Sequence, residues 1–89
     1  MTAFDNLFLL RAFVSIVECD SISAGSRRLK ISQPNLSRHL RTLEDLCGTA
    51  LLNRDTHRMC VTEAGQRLLV DAQALLALAE EADRRHRSK

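Results

Sequence analysis

Hydrophobic and polar positions along the chain divide it into four stretches of helical period and one that lacks it. Residues 4–19 place Phe4, Leu7, Phe8, Phe13, Ile16 and Val17 on one broad apolar stripe, which predicts a first, core-forming helix. Leu9, Leu10 and Val14 widen that surface, so part of this helix is expected to touch a partner subunit. Cys19-Asp20-Ser21-Ile22-Ser23 then breaks the period with residues that favour turns and caps. A short second helix is predicted from about Ser23 to Leu29, with Gly25 and Ser26 small enough to let another helix come close. Lys30 and Ile31 connect it tightly to the next element.

That element, Ile31 to Gly48, carries its own punctuation. Ser32 can cap backbone N–H groups that have no partner within a helix. Pro34 stands in the first turn, where its missing N–H costs nothing, and Gly48 stands where a left-handed residue ends a helix. Leu36, Leu40, Leu43 and Cys47 line one face. Gln33, Ser37, Arg38, Arg41 and Thr42 line the other, a polar and cationic face suited to an anionic partner. Alone, such a helix would more often be an ordinary solvated surface element. Two short helices joined by a three-residue turn, the second one cationic, form the helix-turn-helix pattern. In that motif the second helix enters the DNA major groove with its N-terminal residues nearest the base edges. Here those are Gln33, Asn35, Ser37 and Arg38.

From Thr49 to Arg54 the chain reads as extended or irregular, Asp55 to Arg58 as a turn, and Met59 to Val61 as a short returning strand. Such a hairpin forms a wing, with Arg54 at its base and His57 and Arg58 at its tip. Thr62 followed by Glu63 signals a new helix start, running to about Arg87. Gly65 in its first turn is tolerable there. Leu68, Ala72, Leu75, Ala79 and Ala82 repeat at spacings of four, three, four and three, with Leu69 and Leu76 flanking, in the manner of a coiled coil. About 25 residues span nearly 38 Å, too long for a small core to cover. A second copy is the simplest partner, through Leu68, Leu69, Ala72, Leu75, Leu76 and Ala79.

Composition narrows the function. The chain's 89 residues hold 45% hydrophobic and 27% charged positions, which suits one small soluble domain. The net charge of +2 conceals a pattern, with −2 over residues 1–22, +4 over 23–62 and zero over 63–89. The basic excess therefore surrounds the capped helix, as a nucleic-acid surface requires. Cys19, Cys47 and Cys60 are odd in number and widely spaced, and His39, His57 and His86 form no ligand spacing with them. Neither a disulfide framework nor a metal site is expected, and reduced thiols in a cytoplasm fit best. No cofactor is called for, and neither a signal peptide nor a membrane-spanning run is apparent. An enzyme finds no carboxylate pair, nucleophile–base set or phosphate-binding glycine loop. A protein adaptor would explain the long helix but not the cationic one. RNA binding lacks an aromatic stacking platform.

The order of parts and the residues together resemble the N-terminal DNA-binding domain of LysR-type transcriptional regulators of bacteria. The resemblance rests on Phe13-Val14, Glu18, Ser21-Ile22-Ser23-Ala24, Arg27-Arg28-Leu29, Ile31-Ser32-Gln33-Pro34, Leu36-Ser37-Arg38, Leu40, Leu43-Glu44, Gly48, Leu51, Arg54 and Thr62-Glu63-Ala64-Gly65. It covers nearly the whole chain without a gap. It implies an all-α fold with a small β wing: a winged helix-turn-helix over residues 1–62, then a linker helix over 63–89 that pairs antiparallel with its twin. It implies a recognition helix at about 33–47 in the major groove of promoter or operator DNA, and a wing at about 54–60 at the adjacent minor groove. The expected DNA-facing residues are Ser32, Gln33, Pro34, Asn35, Ser37, Arg38, Arg41, Arg54, His57 and Arg58. The family pattern often has Arg where this chain has His57, which leaves either His57 or Arg58 for the minor groove. Arg58 is the better electrostatic candidate because it is always charged. Cys47 replaces a usual Leu and Leu52 a usual Phe, both tolerable in a core. The effector-binding domain that would receive a small molecule is absent from these 89 residues.

Overall fold

The computed structural model describes residues 2–55 and 58–87, with the side chains of Arg54, Asp55 and Arg58 also outside the description. Four helices and one hairpin follow in order: α1 (Leu7–Cys19), α2 (Ile22–Leu29), α3 (Gln33–Cys47), β1 (Leu52–Asp55), β2 (Arg58–Val61) and α4 (Glu63–His86). The two strands pair antiparallel, from Leu52 opposite Val61 to Asp55 opposite Arg58. This is a winged helix-turn-helix with a long C-terminal helix.

The first predicted helix is not continuous. Thr2 and Asp5 form a capping box around a single 3-10 turn, Ala3–Asp5. Asn6 then starts α1 afresh, its Oδ1 accepting from the Phe8 N–H at 3.0 Å. Two consecutive caps outcompete one uninterrupted helix. The apolar stripe is corrected as well. Phe4, Leu7 and Phe8 are exposed, whereas Leu9, Leu10, Ala12, Phe13, Val14 and Ile16 are buried. Three other helices pack around α1, so Leu9, Leu10 and Val14 serve the chain's own core rather than a partner. Phe8 stays at the margin, its ring edge-on to His39 of α3 with centroids 5.1 Å apart.

Three helix ends close in the same way. Asp20, Lys30 and Gly48 each adopt the left-handed conformation. Behind them the N–H groups of Ser21, Ile31 and Thr49 reach back to the carbonyls of Ile16, Ser26 and Glu44. These are Schellman closures, and two occur without glycine, at about 1 kcal/mol each. They leave almost no chain between helices: Ser21 caps α2 directly after Asp20, and Ser32 caps α3 two residues after Lys30. The small residues of α2 act as expected. A Cβ on Gly25 would lie 3.3 Å from Leu36 Cδ2 and 3.4 Å from the Ile16 backbone, so α2 seats against α1 and α3 together.

The long helix is anchored more deeply than its spacing suggested. Leu68, Ala72 and Leu76 are buried in the core, and Leu69 and Leu75 are partly buried against it. Half of the six expected dimer residues are therefore committed within one copy. The stripe left open runs through Leu75, Leu78 and Ala82, again at spacings of three and four, and Leu78 is 54% exposed. A repeat of four and three can be phased along either of two neighbouring stripes, and α1 takes the first. No helix among the described residues is long and apolar enough to cross a membrane.

Candidate nucleic-acid interface

The exposed face of α3 starts at its cap. The Ser32 hydroxyl accepts from the Asn35 N–H at 3.2 Å, and Pro34 occupies the first turn without loss of a hydrogen bond. Leu36, Leu40 and Leu43 point into the core and fix the roll of the helix. The opposite face then presents Ser32, Gln33, Pro34, Asn35, Arg38 and Arg41 to solvent, with Ser37 half-buried at its edge. Thr42, which the sequence also places on that face, is exposed and donates to the Arg38 carbonyl at 3.0 Å. Arg38 is steered locally, since its Nη1 donates to Asn35 Oδ1 at 3.1 Å. The structure thus brings seven of the ten expected contact residues onto one element. Arg54 and Arg58 lie on β1 and β2, but their side chains, and all of His57, fall outside the described residues.

What joins the wing to α3 was not legible beforehand. Glu44 Oε2 accepts from the backbone N–H of Leu51 at 2.7 Å and of Leu52 at 3.2 Å. One carboxylate on α3 therefore holds the first residues of the wing, at the base of a notch of about 330 Å³ that it shares with Ser37, Leu40, Arg41 and Leu52. The far side of the hairpin is held by Thr62. Its hydroxyl donates to the Ala50 carbonyl at 2.8 Å and accepts from the Gly65 N–H at 3.0 Å, so it caps α4 and clamps the wing at once. The Thr62 N–H donates to the Leu51 carbonyl at 3.0 Å. Gly65 is more than tolerable here: a Cβ would lie 2.8 Å from Val61 Cγ1 and closer still to the Leu51 carbonyl oxygen.

Behind the interface, a carboxylate on α1 ties α2 and α4. Glu18 Oε1 accepts from Arg28 Nη1 of α2 at 2.8 Å, and Oε2 from Gln73 Nε2 of α4 at 3.2 Å. The hydrogen bond to Glu18 raises the pKa of the Arg28 guanidinium further above its already high value. Burial, and then the nearby Glu44 carboxylate, push the Cys47 thiol up. Cys60 is exposed on β2. A maleimide at about pH 8 is accordingly expected to label Cys60 well before Cys47, since the thiolate is the reacting form. Mass spectrometry of the labelled peptides checks the order, and faster labelling of Cys47 contradicts it.

Comparison with known proteins bears on this architecture. Residues 7–66 match the family model of bacterial regulatory helix-turn-helix proteins of the lysR family. The chain is 40% identical over 78 residues to the Hca operon transcriptional activator HcaR of Escherichia coli, covering 88% of this chain and 26% of that protein. Oxidised OxyR of Corynebacterium glutamicum superposes with a TM-score of 0.87 at 38% identity, over 93% of this chain and 27% of that one. The CbnR DNA-binding domain, solved in complex with DNA, superposes with a TM-score of 0.82 at 32% identity, over 90% of this chain and 92% of that one. The chain thus spans about a quarter of the length of the curated relatives it matches. With the matched region running from α1 into α4, this chain belongs to the lysR family of bacterial regulatory helix-turn-helix proteins.

Proposed function

We propose that this chain is the DNA-reading head of a transcription regulator, and that it works as a twofold dimer on double-stranded DNA in the cytoplasm. The observation that carries the reading is the exposed face of α3, where Gln33, Pro34, Asn35, Arg38 and Arg41 share one capped helix whose other face is locked into the core. In the major groove, Gln33 would pair with adenine and Arg38 with guanine through two hydrogen bonds each, while Pro34 packs on a thymine methyl. Asn35 and Ser37 lie beside Gln33 and Arg38 toward the base edges, while Ser32 and Arg41 border this patch and would hold phosphates and sugars, fixing register. Either His57 or Arg58 at the wing's tip retains its assignment to the adjacent minor groove, and Arg54 at the wing's base its assignment to phosphate, on sequence alone. The experiment is binding of the wild-type chain to a duplex enriched from a randomised pool and to its scrambled counterpart, across salt concentrations. A specific complex whose affinity falls as salt rises is expected. Equal affinity for both duplexes sinks the reading.

The dimer seam is assigned to the stripe that the core leaves open, Leu75, Leu78 and Ala82, with Ala79 at its margin and Leu68, Ala72 and Leu76 supporting it from within; Leu69, partly buried on the opposite flank of the helix, is left out of it. Leu78→Asp is expected to convert dimers to monomers in sedimentation velocity while leaving thermal unfolding nearly unchanged, because Leu78 is exposed in one copy. Sedimentation identical to wild type moves the seam elsewhere, and a wild type that is monomeric at micromolar concentration removes the dimer.

A further inference from the structure

We propose that Glu18 is a positioning residue that sets the angle between α4 and the reading head, and through it the separation at which two heads engage DNA; this rests on the dimeric reading above. Core anchoring alone does not fix that angle. Thr62 and Gly65 fix the start of α4, and Leu68, Ala72 and Leu76 seat its first half along one buried stripe, but past Leu76 no buried residue holds the direction in which its far half leaves the head. Beside the stripe lies a groove of about 470 Å³ between α1, α2 and α4, floored by Val14, Leu29, Leu76 and Ala77. Apolar packing does not fill this space, and polar ties span it. Glu18 reaches Arg28 with one oxygen and Gln73 with the other, so one carboxylate joins three helices. Farther along, Arg11 of α1 approaches Glu80 of α4 at 3.9 Å, too far for a strong hydrogen bond. Glu18 is therefore the tighter of the two ties.

The lever is long. His86 lies fourteen residues beyond Ala72, or about 21 Å along the helix. A swing of about 10° moves that end by about 3.7 Å, close to the rise of one base pair, about 3.4 Å. In a twofold dimer both heads swing, which doubles the change. Exposed ion pairs add little to stability. Glu18 and Arg28 have side chains 43% and 47% exposed, so the tie acts on geometry rather than on unfolding.

The test uses duplexes enriched from a randomised pool by the wild-type chain, rebuilt with one half-site or with two at separations stepped by one base pair. For the wild type, moving one step from the best separation is expected to weaken binding about tenfold. In Glu18→Gln, which keeps the shape but cannot accept from both partners, the same step is expected to cost no more than about threefold. Gln73→Leu, on the face of α4 away from Leu78, is expected to flatten the profile likewise. Both variants should keep the wild-type unfolding midpoint and single-half-site affinity. A sharp profile in Glu18→Gln overturns the proposal. So does a flat one that Gln73→Leu fails to reproduce, because Glu18 would then act between α1 and α2 only. Equal weakening on the single half-site also overturns it, since the head itself would have changed. If the wild type gains nothing from a second half-site, the dimeric reading falls, and this inference with it.

Discussion

Gly65→Ala is expected to lower the midpoint of thermal unfolding by about 15 °C, a loss of about 3 kcal/mol for a domain of this size. The added methyl meets the Leu51 carbonyl and lies 2.8 Å from Val61 Cγ1. Neither neighbour can yield easily. The Leu51 carbonyl accepts from the Thr62 N–H, and the Leu51 N–H is held by Glu44. The Leu51 side chain is itself in the core at 1% exposure. Relief would require α4 and the wing to separate, undoing the bond from the Thr62 hydroxyl to the Ala50 carbonyl and that from the Thr62 N–H to the Leu51 carbonyl. Helix propensity alone predicts the opposite sign, since alanine favours a helix over glycine by about 1 kcal/mol. Calorimetry distinguishes the two cases, and a midpoint at or above wild type refutes the close-approach account.

The second large effect is on binding. Arg38→Ala is expected to weaken the specific complex about 30-fold, corresponding to about 2 kcal/mol for a lost bidentate base contact. It should also reduce discrimination between enriched and scrambled duplexes. A phosphate contact behaves differently: Arg41→Ala should weaken both duplexes alike and reduce the slope of log affinity against log salt by about one. Arg67→Ala supplies the control, because Arg67 lies on α4 with its side chain 75% exposed, 3.8 Å from Glu63. Fluorescence anisotropy titrations at three or more salt concentrations separate these outcomes. Equal behaviour of Arg38→Ala and Arg67→Ala would remove Arg38 from the interface.

The features that could be read in advance are those whose chemistry is local. Ser32, Gly48 and Thr62 each cap a helix through backbone groups within four residues, as expected. The roll of α3 was equally legible, because Leu36, Leu40 and Leu43 leave one way to bury it. Phasing was harder where apolar residues abound. On α1, leucines lie nearly all around, so spacing could not tell that Leu9 and Leu10 turn inward while Leu7 and Phe8 remain outside. On α4 the same ambiguity hid Leu78 behind Leu68 and Ala72. Least legible were contacts between elements. Nothing near Glu44 in sequence announces that its carboxylate receives two amides of the wing, and Glu18 and Gln73 are separated by 55 residues.

The three left-handed closures at Asp20, Lys30 and Gly48 have a thermodynamic consequence. With so few residues between α1, α2 and α3, these connections leave no loose segment, among the described residues, that must become ordered when the head meets a partner. On the function proposed here, docking of α3 would add no coupled folding of these connections, and none of the large negative heat-capacity change that goes with it. Conformational adjustment would fall on the duplex, so sequences that bend or narrow at low cost would be favoured even where no side chain reaches a base.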